Sequence, residues 1–227
     1  MDSKLFWPLQ AECANALNLA RSGLKLYEDF KHPRIHSAGV FSCLALASEK
    51  LFKLTLGIHK LNTEETWPIV KEMRSFGHSV VALDAAARAA LTDSLSNATH
   101  RFVVAGWEQR VDSVPWLPDL LAILSDYGSG GRFHELNLLA GSGQGRESPA
   151  DAWLELESKI TTLHPEILNL PISEWGSAVN GKTDLAFRDW WTLYSRSWVQ
   201  GVFGPDAKRM SSELEIGVHG KSFSMHK

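Results

Sequence analysis

"VFSCLALASEKLFKLTLGIHKL", residues 40–61, decides the fold. Val40, Leu44, Ala47, Leu51, Leu54, Ile58 and Leu61 succeed one another by alternating steps of four and three, which puts them in one stripe along an α-helix. A seam of that period is one along which antiparallel helices pack. Pro33, in the preceding "KHPR", suits the first turn of this helix because that position needs no N–H. The spacing predicts one helix from there to about residue 61.

The same period extends outward in both directions. Upstream, from Pro8, the residues Leu9, Cys13, Leu17, Ala20, Leu24 and Tyr27 line one helical face. Downstream, "NTEETWP" breaks the pattern, with Asn62 or Thr63 as the cap and Glu64 and Glu65 where a helix N-terminus favours acids. A third helix from Trp67 then places Met73, Phe76, Val80, Leu83, Ala87 and Ala90 on one stripe, fading at "TDSLSNATH". Beyond residue 100 the pieces are shorter: "RFVVAGWEQR", a helix starting near Pro118, and a glycine-rich connector "GSGGRFHELNLLAGSGQGRESP". A helix follows from Pro149 that stops before Pro165, and a last one runs from about Lys182 to Phe203 with Phe187, Trp191, Tyr194, Trp198 and Val202 at helical spacing. The tail from Gly204, ending "KSFSMHK", reads as loosely held. Strand alternation is nearly absent. The expectation is an all-α, up-and-down antiparallel helical bundle over residues 1–140, with 141–227 as a helical C-terminal extension packed on the same domain.

Composition narrows the function classes. With 44% hydrophobic and 22% charged residues among 227, the chain has the make-up of a globular protein. A net charge of -3 gives no global positive field for nucleic acid or an anionic membrane, so any polyanion contact must be local. One local bias exists: residues 31–60 hold Lys31, Arg34, Lys50, Lys53 and Lys60 against the single acid Glu49. Lys50 and Lys53, with Lys71 further on, are the candidate nucleic-acid-binding residues, although charges on helices ordinarily face water. Two cysteines, Cys13 and Cys43, make no disulfide framework and fit a reducing compartment. The N-terminus has no signal-peptide pattern, and "SAGVFSCLALAS" is shorter than the roughly 20 residues that span a bilayer. Cytoplasmic location and no membrane partner are therefore expected.

On a helical wheel the third helix turns Lys71, Arg74 and His78 away from its apolar stripe, and the same outer face continues as Ala82, Ala85 and Ala89 with Val81 beside them. That small, flat strip suits close packing against another helix, of this chain or of a second copy. Arg74 and His78, four apart, suit metal-independent RNA cleavage: histidine shuttles a proton near neutral pH while arginine holds phosphoryl oxygens. No cofactor and no metal site is expected. His32 and His36 lack a third ligand, "GSGQG" at 141–145 lacks the ending of a phosphate loop, and Arg132 with His134 and Glu135 reads as a helix start. The Trp190, Trp191, Tyr194, Trp198 cluster reads as core packing, with Trp190 or Trp191 as its exposed member.

The order of features, "FSCLALASEKLFKLTLGIHK" on one helix, a turn, then "RSFGHSVVALDAA", resembles the HEPN superfamily of helical bundles, and "GGRFHELNLLAG" is similar to an Arg-aromatic segment in some members. The resemblance covers roughly residues 8–140. It implies a bundle, often dimeric, whose active members are metal-independent endoribonucleases of toxin, phage-defence or RNA-processing systems. Their signature is an arginine followed after a short spacer by a histidine, with two copies meeting across the dimer. Carried over, Arg74 is the phosphate clamp and His78 the general acid/base. Here the spacer is three residues, shorter than that signature, and Ser75 follows the arginine. The first expectation is accordingly a dimeric binding or regulatory module that recognises RNA, a nucleotide or a cognate partner protein without turnover. The alternatives are a ribonuclease using Arg74 and His78, or an unrelated all-α domain with a small-molecule pocket.

Overall fold

The computed structural model describes residues 3–142 and 147–217; "KSFSMHK" and most of "GSGQG" lie outside them. Among the described residues the regular elements are helices: α1 (Ser3–Glu28), α2 (Pro33–Glu64), α3 (Val70–Ser75), α4 (Val80–Ser94), α5 (Arg101–Asp112), α6 (Leu117–Ser129), α7 (His134–Leu139), α8 (Pro149–Leu163), α9 (Ile172–Val199) and α10 (Pro205–Met210), with short 3-10 turns between some of them. The all-α bundle architecture is as the periodicity indicates.

α2 is the central helix. Its seam residues Val40, Leu44, Ala47, Leu51, Leu54 and Ile58 are buried, and so are Phe41, Ala45, Phe52 and Thr55 on the adjoining side. It therefore packs on α1 along one flank and on α4, α6 and α8 along others. Its buried hydroxyls are satisfied within the helix: Ser48 donates to the Leu44 carbonyl (2.7 Å) and Thr55 to that of Leu51 (2.8 Å). The helix runs to Glu64, past the expected break at Asn62, because Glu65 takes the left-handed conformation (φ 59°) that ends it.

One hydrophobic core joins Leu9 of α1 to Ile216. It has two aromatic centres. In the first, Trp153 of α8 meets Tyr27, Phe30 and Phe41 at centroid distances of 5.4, 5.2 and 5.6 Å. In the second, Phe52 of α2 stands edge-on to Trp190 and Tyr194 of α9 at 5.1 and 4.9 Å. Neither Trp190 nor Trp191 is exposed, contrary to expectation. The reason is polar rather than apolar: each buried indole N–H finds an acceptor, Trp190 on Asp84 (2.8 Å), Trp191 on the Leu214 carbonyl (2.8 Å) and Trp198 on Thr55 (3.1 Å). With no ring free, this cluster offers no platform for stacking bases. α9 begins at Ile172, ten residues earlier than the apolar pattern indicates: within "ISEWGSAVNG" Val179 is buried, Trp175 and Ala178 pack against the core, and Asn180 Nδ2 donates to the Phe30 carbonyl (2.8 Å).

The expected third helix is two helices. α3 ends at Ser75, Gly77 adopts φ 72°, and Ser79 caps α4 by accepting the Ala82 N–H (3.2 Å). Gly77 supplies a left-handed backbone without a Cβ penalty and Ser79 is a preferred N-cap, so "RSFGHSV" is a stop followed by a restart. Val80, Leu83, Ala87 and Ala90 are buried as expected, whereas Met73 and Phe76 of the supposed stripe are only half-buried.

Candidate functional site

The break corrects the geometry behind the proposed Arg74–His78 pair. The two side chains do not share a helix face: Arg74 sits in the last turn of α3 and His78 in the link to α4. Both are exposed, as is Lys71. His78 instead meets Glu49 of α2, its Nδ1 3.0 and 3.1 Å from the two carboxylate oxygens. An ionised carboxylate only accepts, so Nδ1 carries the proton and the ring, 68% exposed, turns Nε2 to solvent. Lys53 Nζ donates to the same Glu49 carboxylate (2.7 Å), completing a cation–carboxylate–imidazole chain.

Tertiary structure also cancels the cationic stretch. Lys50 pairs with Glu12 of α1 (2.5 Å), Lys53 with Glu49, Arg34 with Asp151 of α8 (2.8 Å), and Lys60 with Glu72 of α3. Acids from other helices neutralise three of the five cations between residues 31 and 60, and the local Glu49 neutralises a fourth. Lys71 and Arg74 form no ion pair among the described residues and remain the face's uncompensated charges.

Between these pairs lies a groove of about 350 Å³, walled by Leu5, Pro8 and Leu9 of α1, Leu46 and Leu54 of α2, and Trp67 and Met73 around the start of α3. Its rim is the Glu12–Lys50 and Glu49–Lys53 pairs, equal numbers of acids and cations. Leu46 is 44% exposed at its lip, and the neighbouring Trp7, Ile69 and Val70 are exposed apolar residues. Trp67 forms one wall because it lies directly on Gly57: a Cβ there would stand 2.6 Å from the indole. Gly57→Ala is therefore expected to destabilise by about 1–3 kcal/mol through overpacking, although alanine improves helix propensity by roughly 1 kcal/mol. A urea midpoint that rises instead would show that Trp67 is free to move.

α3 is oriented by Glu72. Its carboxylate accepts from Lys60 and from the Ile69 N–H (2.8 Å), and these bonds hold its pKa below the ordinary carboxylate value. A carboxylate whose folded pKa is depressed contributes stability above its unfolded pKa and loses it as pH falls through the folded value. Amide protection in α3 is expected to fall selectively below about pH 4, as seen by hydrogen exchange, and Glu72→Gln is expected to remove that pH dependence.

Ala82, Ala85 and Ala89 are all exposed on α4, so no helix of this chain covers the strip. His36 Nδ1 accepts the Lys31 and His32 N–H groups (3.2 and 3.4 Å) just before the start of α2, and no group of three or more potential metal ligands occurs among the described residues. Arg132 lies over the Phe133 ring at 5.0 Å, on the surface. Among the described residues no helix is long and apolar enough to cross a membrane. Sequence reasoning missed Glu49 as the partner of His78 and missed the groove altogether. The one local signal for the groove was Leu46, an apolar residue off the α2 seam. Comparison with protein-family models, curated proteins and solved structures finds no match to the chain.

Proposed function

We propose that the chain is a non-catalytic binding and regulatory module of the HEPN-like helical kind, which recognises an amphipathic helical segment of a protein through the α1–α2–α3 groove. The observation that carries this reading is an open apolar groove whose charged rim is already neutralised by its own ion pairs. Polyanion binding draws its affinity from several uncompensated cations, and of the candidate nucleic-acid contacts Lys50, Lys53, Lys71 and Arg74 just the last two are without an ion pair among the described residues. Aliphatic side chains spaced three or four apart on a helix would enter the groove, and Met73, an adaptable thioether, would follow their shape. Selection of displayed helical peptides against the purified protein tests this. Enriched sequences should carry that aliphatic spacing and bind Leu46→Asp at least about tenfold more weakly. No enrichment, or binding indifferent to Leu46→Asp, would overturn it.

A second reading, metal-independent RNA cleavage, is favoured by one observation: Glu49 orients His78 as a proton shuttle needs, with Nε2 outward. Arg74 or Lys71 would then face the phosphate. Incubation with a mixed RNA pool in excess chelator is expected to leave RNA intact. Cleavage that disappears in His78→Ala would replace the binding reading with this one.

A further inference from the structure

A second opening lies where α4, α5 and α6 meet, and none of its lining residues belongs to the groove. It is a cleft of about 310 Å³ with Val81, Val111, Val114, Leu117 and Leu121 in its walls and Asp84, Arg88 and Asp112 at its polar end. Val111, Leu117 and Leu121 are 1, 3 and 5% exposed, so the apolar surface is recessed between the helices, while Val81 is half-exposed at the mouth. Recessed apolar walls with a few polar groups at one end are the form that small-molecule sites take.

The charges at the polar end do not cancel. Arg88 is the one cation among the described residues that line the cleft, and it donates through Nε to Asp84 (3.1 Å) and through Nη1 to Asp112 (2.9 Å). Asp84 is satisfied further by Trp190 and Tyr194. Asp112 is exposed: its Oδ1 receives Arg88, and its Oδ2 has no hydrogen bond or ion pair among the described residues. The carboxylate of Glu108, one turn earlier on α5, has neither among the described residues. Burial pushes its pKa above the ordinary value, Arg88 draws it back, and the Asp112 charge adds to the rise. The cation next to it on α5, Arg110, is turned to Asp189 of α9 (2.6 Å). Three carboxylates therefore share one guanidinium, and the two on α5 are short of a positive partner. An anion would be repelled by them. No group of three or more side chains among the described residues is placed to hold a metal ion, so the cation that fits is organic.

We propose that the α4–α5–α6 cleft binds a small organic ammonium ion, its head on Asp112 beside Glu108 and its aliphatic or aromatic body against Val81, Val111 and Leu117. This site is independent of the groove and of the peptide proposed to fill it. The ammonium supplies the donors that Asp112 Oδ2 and Glu108 lack, and charge-assisted bonds of this kind strengthen where water is kept away. The body covers apolar wall, which selects an amphiphilic amine over a bare inorganic cation.

Calorimetric titration of the full chain at neutral pH with phenethylamine, phenethyl alcohol and hydrocinnamate, probes of one shape and different charge, tests the proposal. The amine should bind at least about tenfold more tightly than the alcohol, and the acid most weakly. Asp112→Asn keeps the shape and removes the charge, so it should weaken the amine at least about tenfold and leave the alcohol unchanged. Asp112 is exposed, and this variant should keep the wild-type urea midpoint. Val81→Phe at the mouth should block amine and alcohol alike. Leu46→Asp, in the groove, should bind the amine as the wild type does. An amine that fails to bind, that binds no more tightly than the alcohol, or that is indifferent to Asp112→Asn and Val81→Phe would overturn the proposal. Loss of amine binding in Leu46→Asp would place the probe in the groove and overturn it equally.

Discussion

Replacing Asp84 with alanine is expected to destabilise the fold by about 3–5 kcal/mol, the scale for removing one member of a buried charged network. Asp84 is a mostly shielded carboxylate, 13% exposed at its side chain, and its Oδ1 bonds tie α4 to α9. Its Oδ1 accepts from the buried Trp190 indole (2.8 Å) and the Tyr194 hydroxyl (2.6 Å), and its Oδ2 from Arg88 Nε (3.1 Å). The alanine variant leaves the buried Trp190 N–H without an acceptor, the Tyr194 hydroxyl with only the residue-84 carbonyl at 3.5 Å, and a partly buried guanidinium short of one carboxylate. Burial and the Asp84 charge together push the Tyr194 phenol well above its ordinary pKa, so Tyr194 stays the donor throughout the neutral range. Asp84→Asn keeps an acceptor and is expected to lose less. Urea unfolding with an unchanged slope checks both variants, and a loss under about 1 kcal/mol for the alanine variant would mean that α9 is held by packing alone.

Trp153→Ala is expected to cost a similar amount, about 3–5 kcal/mol, by a different route. Trp153 is buried among Tyr27, Phe30 and Phe41, and its indole N–H donates to Glu157 (2.8 Å). Removing it empties the space where α8 meets α1 and α2 and strands the Glu157 carboxylate, whose pKa burial already raises. Because both aromatic centres belong to one core, the variant should still unfold in a single transition seen alike by far- and near-ultraviolet circular dichroism. A separate early transition in Trp153→Ala would mean that α8 folds on its own account.

What could be read in advance followed from how local the signal is. The α2 seam is a property of successive residues on one helix, and it located the centre of the bundle. The stripe from Met73 to Ala90 shows how the same rule fails: apolar spacing continues in phase across Gly77, although the backbone does not. The glycine and Ser79 were the stronger signals there, being a stop and a cap. The start of α9 was hidden because its first ten residues give the core only Trp175, Ala178 and Val179, interrupted by Gly176 and Ser177, with the Asn180 hydrogen bond beside them. The site was less legible than the fold. Glu49 lies 29 residues from His78, and the acids that neutralise Arg34, Lys50 and Lys60 come from α8, α1 and α3. Counting charges along the chain therefore gave a basic patch where the folded molecule has a neutral rim. The groove was invisible for the same reason, since its walls come from three separated segments and only Leu46 marks it locally.

The most direct test of the groove as the working face is the methyl resonance of Met73, the methionine in its wall, assigned by Met73→Leu. Titrated with a helical peptide selected against the protein, that resonance should shift and saturate, and it should stay unmoved by single-stranded RNA at low salt. A Met73 methyl silent to such a peptide, or one that moves with RNA and returns as salt is raised, would contradict the account.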